Sequence, residues 1–195
     1  MGSVAVGGAA APIAPETFTS DRSHNSQLFA PLGRVLAAVG GAAGLRGGTI
    51  VVGTGPGSYT GIRVGIAAAQ ALALAAGTEV MGVPSACAAD TGIDDYWLCG
   101  DARRGAFFLL QVLGRQVSGD PELVEAAALP ARLDLLYAAG APVLTFDPVP
   151  PAPGVGVARP LAENLIRAAG SGSAGDGGAI EPIYLRSPYV TQPKD

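Results

Sequence analysis

A strand that leads through a glycine-rich turn into a long apolar helix constrains this sequence more than any other feature. Residues 49–53 are rich in β-branched side chains, which is typical of a strand. The glycine-rich turn spans residues 55–61 and overlaps the start of an apolar helix over 58–76. Residues 79–83 predict another strand. Strand, helix and strand in this order predict a parallel crossover and an α/β fold.

A glycine-rich turn at the start of a helix can hold a phosphate, because glycine lets backbone amides approach the ligand. The specific nucleotide motifs are missing. A Walker loop needs a lysine after its last glycine, and Gly61 is followed by Ile62; the dinucleotide fingerprint would have its third glycine at Ser58 or Thr60. A tight packing turn is the favoured interpretation, and a vestigial phosphate loop is the alternative. That loop would consist of Gly55, Gly57, Ser58, Thr60 and Gly61.

Small residues recur at every fourth position along the same helix, at Gly61, Gly65, Ala69, Ala73 and Gly77. A ridge of this kind lets another helix approach closely. The other faces carry isoleucine and leucine, so the helix must be covered on more than one side. Two alternatives follow: a partner protein or second copy covers the ridge, or the chain's own first helix, over 26–39, does so.

Composition narrows the function classes. The chain has 195 residues, a net charge of -4 and only 14% charged residues, which argues against direct binding of nucleic acid phosphates. With His24 as the only histidine, we predict no metal site and no catalytic residue. Cys87 and Cys99 predict buried thiols in a reducing compartment. The sequence shows neither a signal peptide nor a full membrane span, which predicts a cytoplasmic protein without a membrane partner.

The sequence pattern divides the chain into two lobes, residues 1–93 and 94–195. The first begins with short strands at 3–7 and 12–18, separated by a turn at Gly7 and Gly8. In the second, Asp101, Arg103 and Arg104 form a charged turn, most simply a solvated one. The remaining predictions are strands at 96–100 and 106–113, helices at 132–139 and 160–169, an irregular segment at 148–156, a flexible glycine-rich segment at 170–178 and a docked segment at 180–186.

Together these motifs resemble one family. The glycine turn with its following helix (55–65), Gln-Ala-Leu-Ala-Leu at 70–74 and Gly-Val-Pro-Ser at 82–85 are similar to the TsaB family, also called YeaZ and formerly labelled glycoprotease-like. Residues 23–27, 101–105 and 182–186 agree with it. The resemblance covers most of residues 3–113 and the tail.

The resemblance implies the actin/Hsp70/sugar-kinase (ASKHA) fold, with two small lobes of mixed sheet and helices. It also implies a non-catalytic scaffold that supports a TsaD-like catalytic subunit and is joined by a TsaE-like ATPase. That complex transfers threonylcarbamoyl to a tRNA adenosine (t6A modification). The chain itself would hold no cofactor, with ATP and metal on the partner subunits, and would meet tRNA only through the complex.

The family's interface uses the two helices of the first lobe, through which TsaB proteins also form homodimers. Carried onto this sequence, the resemblance places that interface on Leu28, Phe29, Leu32, Leu36, Ile62, Gly65, Ile66, Ala69, Gln70 and Ala73.

One departure from the family concerns the first strand. Members begin with a strand that ends in Asp-Thr or Asp-Ser, whereas residues 1–6 correspond to the strand after it. We therefore expect the first strand of the amino-terminal lobe to be missing, and a nucleotide site with it. The alternative function is an ATP-dependent kinase-like or peptidase-like enzyme of the same fold, using the 55–61 loop and Asp101.

Overall fold

The computed structural model describes residues 1–8, 11–12, 14–19, 25–170 and 180–185. His24 and nearly all of the glycine-rich segment at 170–178 lie outside these residues.

The chain begins with two nested antiparallel ladders. The outer one pairs β1 (Gly2–Val4) with a later strand, β4 (Glu16–Phe18). The inner one pairs β2 (Gly7–Gly8) with β3 (Ala11–Pro12). The two glycines predicted to form the turn are thus part of a strand, because Gly7 pairs with Pro12 and Gly8 with Ala11.

The first helix, α1 (Phe29–Ala37), follows a 3-10 turn at Asn25–Leu28. It begins three residues later than the predicted start at residue 26. Arg34 on α1 binds Glu16 on β4, with Nε to Oε1 at 2.7 Å and Nη2 to Oε2 at 2.6 Å. This pairing lowers the pKa of Glu16 below its ordinary value, chiefly through the hydrogen bond from Arg34. The ion pair attaches α1 to the first ladder.

The predicted crossover is present. Strand β5 (Thr49–Gly53), helix α2 (Tyr59–Ala76) and strand β6 (Glu79–Val83) form a parallel unit, with Thr49 opposite Glu79 and Gly53 opposite Val83. Ser58 caps the start of α2, and Gly77 ends it in the left-handed conformation at φ 65°. All three elements lie within one residue of their predicted bounds.

The small-residue ridge of α2 lies on this parallel ladder. Ile66 and Ala69 pack with Val52 of β5, and a Cβ on Gly65 would lie 3.8 Å from Val52 Cγ2. The chain's own sheet therefore covers the middle of the ridge, at Gly65 and Ala69, a cover that neither alternative drawn from the sequence had included. The physical reason is that a parallel crossover places its helix flat on the two strands that it connects.

The carboxyl-terminal half contains a five-stranded mixed sheet in the order β11-β10-β7-β8-β9. Its elements are β7 (Tyr96–Asp101), β8 (Ala106–Leu113), β9 (Gln116–Glu125), α3 (Leu129–Ala138), β10 (Val143–Thr145) and β11 (Gly156–Val157). Strands β7, β8 and β9 form an antiparallel meander, and β10 and β11 add in parallel. Two buried clusters cover its faces, one around Leu98 and Leu110 and the other around Leu109 and Leu133.

The last helix, α4 (Ala162–Gly170), returns to the amino-terminal strands. It contacts β1, β5 and β6, and its Leu165 and Ala168 pack in one cluster with Val51 and Val83. The segment at 180–185 also docks on the body, as predicted. Ile183 donates its backbone N–H to Thr54 at 2.8 Å, and Leu185 packs against the core of the second half.

The amino-terminal ladders do not join into one sheet. Among the described residues, β1 pairs with β4 and β5 pairs with β6, and no strand connects the two ladders. The architecture as a whole is mixed α/β, with helices packed on separate sheets.

Candidate functional site: an apolar groove between two helices

An open apolar groove of about 340 Å³ lies between α1 and α2. Its lining contains no charged side chain. The residues that form it are Phe29, Leu32, Gly33 and Leu36 from α1, and Ala68, Ala71 and Leu72 from α2.

Both helices turn one face inward and leave the groove side accessible. On α1, Pro31 and Val35 are buried, whereas the Phe29 ring at the groove is 57% exposed. On α2, Ala69 is only 6% exposed and lies against the sheet, whereas Ala71 is exposed. A single exposed apolar residue is ordinary, but an accessible groove lined on both walls by apolar side chains is typical of a protein-binding surface.

The structure divides the ten residues predicted for the interface into two groups. Ile66, Ala69 and Ala73 are buried within the chain, Ile66 and Ala69 against its own sheet, and are not accessible to a partner, which corrects that part of the prediction. Gly65 also faces the sheet. The remaining residues keep some exposure: Phe29 and Gln70 are exposed, and Leu28, Leu32, Leu36 and Ile62 are half-buried.

Sequence reasoning missed four groove residues, Gly33, Ala68, Ala71 and Leu72. Because α2 is apolar nearly all round, its pattern does not indicate which face meets the sheet. Once Gly65 and Ala69 are assigned to the sheet, helical geometry places Ala68 and Leu72 to one side of that face, toward α1. The missing information was which face of α2 packs on β5.

Two amides of the glycine-rich loop are hydrogen-bonded within the chain. The Gly55 N–H donates to Ser85 Oγ at 3.0 Å, and the Gly61 N–H donates to Ser58 Oγ at 3.3 Å. Pro56 has no N–H and follows a cis peptide bond. Gly55 has φ 104°, and a Cβ there would lie 2.8 Å from Ile62 Cδ1, so the position requires glycine for packing. This geometry fits the favoured interpretation, a tight packing turn.

The cation nearest in sequence to this loop, Arg63, contacts an aromatic ring. Its guanidinium lies 5.2 Å from the centroid of the Tyr59 ring and donates to the Tyr59 hydroxyl. The Tyr59 ring in turn packs 5.6 Å from that of Tyr184 in the docked tail. These contacts hold Arg63 at the helix surface and join the tail to the start of α2.

Asp101, considered for catalysis, holds its own turn in place. Its carboxylate accepts from the Arg103 N–H at 2.7 Å and pairs with the Arg103 side chain at 3.1 Å. Both side chains are well exposed, as expected for a solvated charged turn.

The two cysteines are buried and free, as predicted. Desolvation by burial raises the pKa of both thiols, Cys87 and Cys99, to about 11. They therefore stay protonated at neutral pH, which disfavours nucleophilic chemistry because the thiolate is the reactive form.

A family model described as TsaD, tRNA N6-adenosine threonylcarbamoyltransferase, matches residues 13–146 of the sequence. This chain belongs to the TsaD family. The match spans the crossover, both walls of the groove and the meander of the second half. It supports a role in t6A biosynthesis for this TsaD-family chain.

Solved structures agree on the fold. YeaZ from Pseudomonas aeruginosa is similar over 94% of this chain and 93% of its own, with a TM-score of 0.66 and 22% sequence identity. A second structure, titled an uncharacterized protein with similarity to peptidase YEAZ from Pseudomonas aeruginosa, is similar over 85% of both chains, with a TM-score of 0.60 and 23% identity. No curated protein matches the sequence significantly. This TsaD-family chain is thus YeaZ-like (TsaB-like), with the ASKHA-like fold.

Within the described part of this TsaD-family chain, α2 alone has the length and hydropathy of a membrane span. That resemblance is weak, because Ile66, Ala69, Ala73 and Ala76 bury one side of the helix in the fold. Helix α2 packs on the β5–β6 ladder of a YeaZ-like domain.

Proposed function

We propose that this chain is a non-catalytic scaffold subunit of the t6A system, which binds a TsaD-like catalytic subunit through the α1–α2 groove. The observation that carries the proposal is the groove itself: two neighbouring helices present an accessible, uncharged apolar surface at Phe29, Leu36 and Ala71. Burial of such a surface against a partner's apolar side chains favours association by about 25 cal/mol per Å² before the costs of association are counted.

The proposal that the chain is non-catalytic rests on its glycine loop and its charged turn. Gly55 and Gly61 satisfy their amides internally, so they are not available to hold a phosphate without a rearrangement. Asp101 is paired with Arg103 at an exposed turn. In this scheme a TsaE-like ATPase joins the complex, and ATP and metal bind to the partner subunits.

Contact with tRNA is also assigned to the partner subunit in this proposal. With a net charge of -4, this chain does not supply the cationic surface that phosphate binding requires. The partner would make the tRNA contacts, and this chain would hold the partner in its working arrangement. The work would take place in the cytoplasm, where tRNA is modified.

Association can be measured by mixing the purified chain with the TsaD-like subunit of the same organism and determining mass by light scattering. We expect one copy of this 19.3 kDa chain for each catalytic subunit. If the same groove also supports a homodimer, the dimer should dissociate as the partner is added, because both would use one surface. A mixture whose components keep their separate masses at micromolar concentrations would contradict the proposal.

A further inference from the structure

The outer face of α2 carries an arginine whose side chain is held in place by aromatic contacts. Arg63 is exposed; its guanidinium lies 5.2 Å from the centroid of the Tyr59 ring, and its Nη1 donates to the Tyr59 hydroxyl. The Tyr59 ring packs in turn 5.6 Å from the ring of Tyr184. A guanidinium stacked on a ring has less conformational freedom to lose when it binds, so Arg63 is preorganised for a ligand.

Most hydrogen-bond donors of Arg63 are unused within the described part of the chain. Its Nη1 binds the Tyr59 hydroxyl, and no other hydrogen bond or ion pair joins this guanidinium to a described residue. Five other arginines pair with carboxylates of this chain: Arg34, Arg103, Arg115, Arg132 and Arg159. The remaining N–H groups of Arg63 form a planar fork, which matches the two oxygens of a carboxylate.

Arg63 belongs to an exposed surface of α2 that borders the groove. Ala67, Gln70 and Ala71 are exposed, and Leu74 is 86% exposed. Residues seven positions apart lie on one face of a helix, so Gln70 stands in line with Arg63, and Ala71 at the groove is about 12 Å from Arg63 along the axis. An ordinary interface of about 800 Å² on each partner is large enough to include both the groove and Arg63.

The two helices that form the groove contain no carboxylate. Neither α1 nor α2 has an aspartate or glutamate, and their only charged residues are Arg34 and Arg63. Arg34 is already paired with Glu16. A second copy that docked through the same two helices would therefore bring uncharged or cationic side chains to Arg63. Because burial of a guanidinium without a counter-ion is costly, such a pairing is disfavoured.

We propose that Arg63 determines which partner this chain selects, by binding an aspartate or glutamate side chain of the TsaD-like subunit. This inference rests on the proposed function, since it requires the partner to dock at the α1–α2 groove. The contact is bidentate, with Nε and Nη2 of Arg63 donating to the two carboxylate oxygens. It attracts the catalytic subunit and disfavours a second copy of this chain. A nucleic acid is the less suitable ligand, because phosphate binding uses several cations and Arg63 is the only one on α2.

The test compares Arg63→Gln with Arg103→Gln, which removes the same charge from an exposed arginine in the other half of the chain. By titration calorimetry with the TsaD-like subunit, we expect Arg63→Gln to weaken association at least about tenfold and Arg103→Gln to leave it unchanged. The affinity of the natural chain should fall more steeply with added salt than that of Arg63→Gln, because salt screens the ion pair. Self-association, measured by sedimentation velocity, should be at least as strong in Arg63→Gln as in the natural chain.

If Arg63→Gln bound the TsaD-like subunit as tightly as Arg103→Gln does, the inference would be overturned while the groove proposal remained. Equal weakening of association with the subunit and of self-association would also overturn it, because Arg63 would then contribute packing to both and selection to neither. Absence of any association by the natural chain would contradict the proposed function, and this inference with it. Both variants should unfold at the same temperature as the natural chain, since exposed substitutions of this kind have little effect on stability.

Discussion

Ala71→Glu is expected to weaken the association of this chain with a TsaD-like subunit by about 100-fold or more. Ala71 lines the groove and is exposed, so a glutamate there would place a charge in an apolar interface. A 100-fold loss corresponds to about 2.8 kcal/mol, which is typical for disruption at the centre of an interface. The measurement is titration calorimetry with the purified partner.

The matched control for this variant is Ala131→Glu. Ala131 is also an exposed helical alanine, but it lies on α3 in the other half of the chain. Both variants should unfold at temperatures close to that of the natural chain, because exposed Ala→Glu changes in helices cost only a few tenths of a kcal/mol. Equal affinity of the two variants for the partner would show that the groove is not the docking surface.

Ala69→Glu, two residues earlier on the same helix, should instead strongly destabilise the folded chain. Ala69 is 6% exposed and packs with Val52 and Ile66. Keeping a buried glutamate neutral near pH 7 costs about 4 kcal/mol, because its ordinary pKa of about 4.3 lies roughly 2.7 units lower and each unit is about 1.36 kcal/mol. That loss is a large share of a typical domain stability of about 5–15 kcal/mol. Urea unfolding measures it.

The loss should depend on pH with a definite sign. Burial raises the pKa of the introduced carboxyl in the folded state, so the penalty is present above its unfolded pKa and disappears below it. The difference in stability from the natural chain should therefore shrink as the pH falls toward about 4. The control is Gln70→Glu, the same new side chain at an exposed neighbouring site. If Ala69→Glu were as stable as Gln70→Glu, the inward orientation of the ridge would be wrong.

The crossover could be predicted from the sequence because each of its signals is local. The β-branched run fixes β5, Ser58 and Gly77 mark the ends of α2, and the glycine turn connects them. The resemblance to TsaB-like proteins rests on the same residues. The sequence therefore indicated both the crossover and the family fold.

The missed elements depend on long-range packing. Strand β9 contains Gly119, Asp120 and Pro121, residues that are typical of turns, and it forms because β8 provides a paired edge. The short strands β10 and β11, of three and two residues, complete the sheet by parallel pairing and are too short to be recognised from a local pattern. The face of α2 that meets the sheet was equally undetermined, since apolar residues surround the helix.

The most direct measurement of the central claim is the amount of t6A formed on tRNA, determined by mass spectrometry of the nucleosides. Three reactions are compared, each supplied with a TsaE-like ATPase, ATP, threonine, bicarbonate and the enzyme that makes threonylcarbamoyl-adenylate. One contains this chain alone, the second the TsaD-like subunit alone, and the third both. The account predicts no product with this chain alone and the highest yield with both. Turnover by this chain without the TsaD-like subunit would contradict it.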